Sequence, residues 1–349
     1  MRSAPGKASK KNRELIIGLM EESQAIEERP IDLVVVINSF NRKELLQRAL
    51  TSLTQALRQA SFGSAIVVFE AGSNDGSKEF LSAWPAQYPK DNLVVVKPSD
   101  ARVSFSDGIN VGCAAAFERF PDCQWLLLYE TDNWIEGINP LEQAIAVLKL
   151  QPQLAAAGFT VRRHSGEFCG YGMRFPSVVS LALGMNLSTR WNLDPPNESD
   201  WQVTGATRWR TCDVIFTSPL LIRRDAWAQT GGLDAERFPF SETDVDWAWR
   251  CAELGWKMAV IASDEVVHDN LQQASAWSAN RVIEFHRSRL QLLKKHRGKW
   301  IGLIKPILFS RHLIETLLLA CRRRADVATR SKLEKRREML RTVWNDYVA

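Results

Sequence analysis

The chain has no uninterrupted apolar run of the ~18 residues that a membrane-spanning helix needs. The nearest, "WIGLIKPILFSRHLIETLLLAC" at 300–321, is broken by Lys305, Pro306, Arg311, His312 and Glu315. Such a segment is expected to lie at an interface or on a partner rather than to span. An apolar leader is missing too. Residues 1–14 are polar and basic, so no signal peptide is expected. The six cysteines form no CxxC pair and no zinc-site spacing, which suits small core thiols in a reducing compartment. There is neither a GxGxxG fingerprint nor a Walker phosphate loop, so dinucleotide oxidoreductases and P-loop NTPases lose ground.

What is present is ordinary in bulk and uneven in detail. The 349 residues are 45% hydrophobic and 24% charged, enough for one large α/β domain with appendages or for two domains. The net charge of +5 is concentrated in "GKASKKNR" near the N-terminus, "CRRR" at 321–324 and "RSKLEKRR" at 330–337. A basic tail attracts anionic lipid, nucleic acid or an acidic partner, or simply forms a solvated helical face.

Continuous β-branched and leucine-rich runs alternate with helical patterns. "IDLVVVI" (31–37), "SAIVVFE" (64–70), "NLVVVK" (92–97) and "QWLLLYE" (124–130) each precede a helix-like segment. Four strand–helix units predict a mostly parallel sheet flanked by helices, with ligands beyond the carboxyl ends of its strands. Those ends carry Asn38 and Ser39, Glu70, Lys97, and Glu130 with Asp132. After about residue 155 the pattern becomes loop-rich. A capped helix then follows at "SETDVDWAWRCAELGW", with Ser241 expected as N-cap and Gly255 as terminator.

Several groups invite chemistry. Glu130 and Asp132 would share one side of a persisting pleat, where a cation between them relieves their repulsion, or else lie on an exposed turn as solvated acids. Mg²⁺ or Mn²⁺ takes such oxygens and shares them with substrate phosphates. Glu70 opens the turn "EAGSNDGS", either as part of a helix-capping turn or as an acceptor for a nucleobase N–H. Asp244 and Asp246 sit at a helix start, where acids cap; spacing alone does not rank either as general base. His268, after "EVV", completes an oxygen-rich divalent site or serves only structure. Trp191, Trp201 and Trp209 fall outside helical periodicity and either offer faces for a sugar or base or simply make a Trp-rich hydrophobic loop.

In order, these residues resemble the inverting glycosyltransferases of family 2, which have the GT-A fold. The resemblance runs through "VVVINSFNRKELLQRALTSL", "IVVFEAGSNDGS", "DGINVGCAAAF", "LLLYETDNW" and "LLIRRDAWAQTGGLDAERFPFSETDVDWAWRCAELGWKMAVI", over roughly 31–297. It implies a metal-assisted transfer of a hexose or deoxyhexose from a nucleoside-diphosphate donor to a hydroxyl of a glycan or lipid-linked acceptor, as in polysaccharide biosynthesis. Asp244 would be the base. Asp132, Glu130 and His268 would hold Mn²⁺ or Mg²⁺, and Ser39, Arg42 and Glu70 would line the nucleotide pocket. Asp107, Asn110, Trp209 and Asp246 are expected at the substrates. The chain departs from the family pattern at Asn38 (often Pro), at Glu70 (usually Asp), in its ExD, and at Thr243-Asp244 in place of Glu-Asp. A non-catalytic relative that binds a nucleotide sugar or glycan is therefore the alternative.

The expected organisation is a polar extension over 1–30 and a GT-A domain over 31–275. That domain divides into a nucleotide half (31–150) and an acceptor half (151–275), and basic amphipathic helices follow over 276–349. Those helices are expected to meet an anionic surface at the inner face of the cell membrane, or else to make a homo-oligomer. Nucleic acid is not expected among the partners, and a cytoplasmic location is.

Overall fold

The computed structural model describes residues 30–88, 92–97, 103–163, 165–183, 185–191, 199–268 and 279–321, with scattered residues between 333 and 345. The expected N-terminal extension, apart from its last residue, and the expected boundary at 275/276 lie outside the described residues.

The first half is built as its sequence suggests. β1 (Ile31–Ser39), α1 (Lys43–Leu57), β2 (Gly63–Glu70), α2 (Ser77–Gln87), β3 (Leu93–Val96), α3 (Phe105–Arg119) and β4 (Trp125–Leu128) alternate. A short β5 (Asn133–Ile135) precedes α4 (Asn139–Leu150). Then come β6 (Leu154–Phe159), β7 (Val161–Arg163), β8 (Phe168–Cys169), α5 (Val178–Leu183) and α6 (Met185–Arg190). β9 (Gln202–Thr204), β10 (Thr207–Cys212), β11 (Leu220–Arg223), α7 (Arg224–Thr230) and α8 (Thr243–Glu253) follow. The described chain closes with β12 (Lys257–Ile261), β13 (Val266–His268) and the long α9 (Ala279–Ala320).

The main sheet has the order β3-β2-β1-β4-β11-β6-β12-β10-β9, in which only β10 and β11 run against the rest. A second sheet, β5-β13-β7-β8, stands beside it. β1 is continuous in apolar character because helices cover both of its faces. Val34 and Val36 pack with α3, α7 and α8 residues such as Ile109, Trp227 and Trp247. Leu33, Val35 and Ile37 pack with Leu46, Leu50 and Leu141 of α1 and α4. All five strand residues are fully buried, each worth about 1.5–3 kcal/mol over exposure.

The small face of α3 sets how closely it approaches the sheet. A Cβ on Gly112 would stand 2.6 Å from Val36 Cγ1, and one on Gly108 would stand 2.8 Å from Asn38 Nδ2 and Phe69 Cδ1. α3 also carries the loop before α8. Ser106 donates to the Phe238 carbonyl (2.6 Å) and to Thr243 Oγ1 (2.9 Å), and its amide donates to the Pro239 carbonyl. Gly112→Ala is expected to lower the unfolding free energy by about 1–3 kcal/mol, through overpacking against Val36. A denaturant midpoint unchanged from wild type would refute that close-packed contact.

Candidate active site

The parallel strands β1, β2 and β4 bring their carboxyl ends to one edge, so Ser39, Glu70, Glu130 and Asp132 arrive together despite their distance in sequence. Ser39 pairs with Glu70 in register, and both are buried. The strand pairing of β4 stops at Leu128, and the Asn133 amide turns back to the Glu130 carbonyl at 3.1 Å. The pleat therefore does not persist through Glu130 and Asp132, and the two acids have different partners. Glu130 accepts a hydrogen bond from Thr217 Oγ1 at 2.8 Å. Asp132, 1% exposed, lies 3.4 Å from Arg42 Nη1 and 3.5 Å from His268 Nε2.

That last contact comes from the second sheet. Asn133, the residue after Asp132, pairs with His268 across β5 and β13. Burial alone would raise the Asp132 pKa. The hydrogen bond and charge of His268, with the charge of Arg42, outweigh it and hold the carboxyl below its ordinary value. For His268, burial works downward, but Asp132 and then Glu130 raise the pKa above the usual imidazole value.

Asp244 enters from α8, in its first turn. Loss of hydration, then the neighbouring charges of Glu242 and Glu130, push its pKa up to about 7, against a weaker opposing hydrogen bond from the Val245 amide. Glu130 thus influences both His268 and Asp244, which ties β4, β13 and α8 into one acidic cluster. The helix start differs from the expected capping box. Glu242, not Ser241, is the N-cap, with φ 62°, and no side chain caps the helix. Ser241 Oγ instead donates to Ser288 Oγ at 2.9 Å. Glu242 is held by Arg289 of α9 at 2.7 Å. Gly255, with φ 88°, follows the helix end as expected.

Asp132 and His268 suit a divalent ion. Their nearest donor atoms, 3.5 Å apart, match neighbouring positions on one cation at ordinary bond lengths of about 2.1 Å. Among the described residues, no group of three or more His, Cys, Asp and Glu forms a complete metal cage. Mg²⁺ is usually held by one or two carboxylates together with waters and substrate phosphates, so such an ion does not need a complete protein cage.

Other expected site residues have structural partners. Glu70 accepts from the Ser73 amide (2.7 Å) and the Gly72 amide (3.2 Å), so its carboxylate braces its own turn. Asp107 makes a capping box with Ser104 at the start of α3. Asn110 clamps Leu233 through both backbone groups, at 2.8 and 2.9 Å. Trp209 lies on β10 rather than in a loop, is 2% exposed, and donates to Thr204 Oγ1. Asp246 is fully buried among Arg250, Lys295 and His296, at 2.9, 2.6 and 2.9 Å. Sequence reasoning missed Thr217 and Arg289, since nothing near either marks it; Glu242 was legible as part of the acidic helix start, without its partner Arg289.

A model of the family described as Glycosyltransferase like family 2 matches residues 30–302. The chain belongs to that family. It is 25% identical over 279 residues to an N-acetylglucosaminyl-diphospho-decaprenol L-rhamnosyltransferase from Mycobacterium tuberculosis, covering 77% of this chain and 86% of the relative. Among solved structures, GalNAc-T7 with UDP, GalNAc and Mn²⁺ superposes with TM-score 0.53 at 11% identity, over 90% of this chain and 55% of that one. The mannosyltransferase PcManGT from Pyrobaculum calidifontis, in complex with GDP-Man and Mn²⁺, gives TM-score 0.48 at 15% identity, over 97% and 92% of the two chains. The family and the likeness in fold make this glycosyltransferase a GT-A protein.

The Asp246 network predicts an acid-sensitive fold. Burial would raise the pKa of this carboxyl, but His296, Lys295 and Arg250 together bring it down to about 2. Its stabilisation is therefore complete above the unfolded value near 4. It is lost as pH falls from about 4 to about 2, and amounts to about 2 kcal/mol. Asp246→Asn is expected to cost about 3 kcal/mol at neutral pH, because it leaves buried cations unpaired, and to flatten that acid limb. Denaturant titrations from acid to neutral pH measure both. An unchanged limb in the variant would remove Asp246 as its source.

Proposed function

We propose that this glycosyltransferase moves a deoxyhexose or hexose from a nucleoside-diphosphate donor to a hydroxyl of a lipid-linked glycan, in one inverting displacement. The observation that carries the reading is the convergence of Asp132, His268, Glu130 and Asp244 at one sheet edge. The rhamnosyltransferase relative supports a deoxyhexose donor and a lipid-linked acceptor. The Mn²⁺ in the GalNAc-T7 structure supports a divalent ion here.

Asp132 and His268 would hold that ion, and Glu130 lies near enough to add charge. Bound there, Mn²⁺ or Mg²⁺ supplies positive charge to the leaving diphosphate. Arg42, half-exposed beside Asp132, is placed to turn its guanidinium to the same phosphates. Ser39 Oγ is buried at the nucleotide end with no hydrogen-bond partner among the described residues, and so is available to a ligand.

Asp244 takes the acceptor proton. A carboxyl poised near neutrality is a stronger base than an ordinary surface aspartate and still ionises at physiological pH. The proton passes from the acceptor hydroxyl to Asp244 as the oxygen attacks the anomeric carbon, opposite the departing diphosphate. Glu242 does not compete for this role, because Arg289 occupies it.

Asp244→Asn is expected to reduce turnover by at least about a thousandfold while leaving donor affinity within about twofold. Nucleoside-diphosphate release and donor titration measure the two. Full turnover in the variant would reassign the base. In the wild type, turnover should rise with pH through about 7, because the ionised form is the active one. Removal of divalent metal by a chelator should abolish turnover, and added Mn²⁺ or Mg²⁺ should restore it. Undiminished activity in chelator would sink the metal assignment.

A further inference from the structure

α9 is two helices joined at Arg297, whose φ and ψ of −130° and 24° are not helical. Its first part serves the catalytic end. Arg289 holds Glu242, and Lys295 and His296 hold Asp246. The part beyond the kink has a different face. Ile307, Ile314 and Leu318 are 51%, 56% and 65% exposed. Their spacings of seven and four residues place them on one side of the helix.

That stripe borders a cavity of about 980 Å³ between α9 and the α5–α6 pair. Leu183, Leu187, Pro306, Ile307 and Ile314 supply its apolar lining. Arg311 spans the gap by donating to the carbonyls of Leu181 and Ala182, at 2.6 and 3.1 Å. Trp191, just after α6, is 56% exposed. Contiguous exposed apolar surface of this kind marks an interaction site.

Charge decides the partner. Residues 294–341 hold 15 Lys and Arg against four Asp and Glu, whereas the whole chain holds 45 against 40. The remainder is therefore net acidic. An anionic surface attracts this end and repels the rest. Arg337 and Arg341 are exposed, and their neighbour Arg336 pairs with Glu315 of α9. No described helix is long and apolar enough to cross a membrane, so an apolar stripe with a basic flank suits a helix lying in the headgroup layer.

We propose that the second part of α9, with the facing α5–α6 pair, docks the enzyme on an anionic lipid bilayer, with Ile307, Ile314 and Leu318 entering the acyl boundary. The catalytic helix α8 is then held at a fixed distance from the lipid, because one helix grips α8 and carries the docking face. The docking stands on this face alone and does not depend on which sugar or acceptor is used.

The test uses full-length protein without donor or acceptor. Its probes are vesicles of phosphatidylcholine with about one-third phosphatidylglycerol, and vesicles of phosphatidylcholine alone. Co-sedimentation should favour the anionic vesicles by at least about tenfold and weaken as salt is raised. The double variant Ile314→Asn with Leu318→Asn keeps the charge. It should lose at least about tenfold in binding while retaining the wild-type melting temperature and donor affinity. A milder variant, Leu318→Ala, covers the case in which the double variant fails to fold; it should lose several-fold. Absence of wild-type binding to anionic vesicles would overturn the proposal, as would full binding by the folded variants. Sedimentation equilibrium addresses the other occupant. A wild-type dimer that the same substitutions dissociate would assign the face to a second copy and refute lipid docking.

Discussion

Repulsion among like charges is the constraint around which this site is built. Glu130, Asp132, Glu242 and Asp244 come from two distant segments and meet where the strand edge faces the start of α8. Three of the four are relieved individually. Thr217 donates to Glu130, Arg42 and His268 flank Asp132, and Arg289 takes Glu242. Asp244 receives backbone amides, that of Val245 and its own, against burial and the repulsion of two acids. Burial first, and then the repulsion of Glu242 and Glu130, is expressed at that position as proton affinity. Glu130 also acts on the second pair, where Asp132 and then Glu130 raise the His268 pKa against burial. Both features follow from gathering acids at one edge.

The sheet was legible because its physics is local. A strand buried on both faces must be apolar at every position, and "LVVVI" is. Parallel strands with helical crossovers leave their carboxyl ends on one side, so Ser39, Glu70 and Asp132 could be expected together before any distance was known. Asp132 and His268 meet by another route, since Asn133, the residue after Asp132, pairs antiparallel with His268 across β5 and β13 of the second sheet.

The partners of polar side chains were not legible. Asp107, Asn110 and Asp246 are of types that serve a substrate as readily as a backbone, and only the tertiary neighbour decides. Asn110 lies 123 positions from the Leu233 backbone it clamps. Asp246 owes its burial to Lys295 and His296, on a helix whose basic face reads simply as solvated from sequence. Trp209 misled for a related reason. Its strand β10 holds alternating Arg and Thr, so the strand pattern is masked by polar residues, and the tryptophan looks like a loop residue. Glu70 shows the limit most plainly. An acid before a Gly-Ser-Asn turn can accept from a ligand or from the turn, and here the amides of Gly72 and Ser73 come first.

Backbone strain marks the same places as the charge. Among the described residues, Asn41 (φ 50°) and Glu242 (φ 62°) are the non-glycine residues in the left-handed region. Asn41 precedes Arg42, and Glu242 lies two residues before Asp244. The conformation costs roughly 1 kcal/mol or more for a residue with a Cβ, and more readily tolerates Asn than Glu. Each is held by bonds to a separate segment. Asn41 accepts from the Asn74 amide and its own amide donates to Ser73 Oγ, while Glu242 is fixed by Arg289. A fully helical or extended Glu242 would rotate the first turn of α8 and carry Asp244 away from Glu130. The ion pair with Arg289 therefore does more than neutralise a buried acid. It keeps a disfavoured backbone in place at the residue from which the first turn of α8, with Asp244, begins. Because Arg289 is on α9, the start of α8 is tied to the helix whose far half carries the exposed apolar stripe.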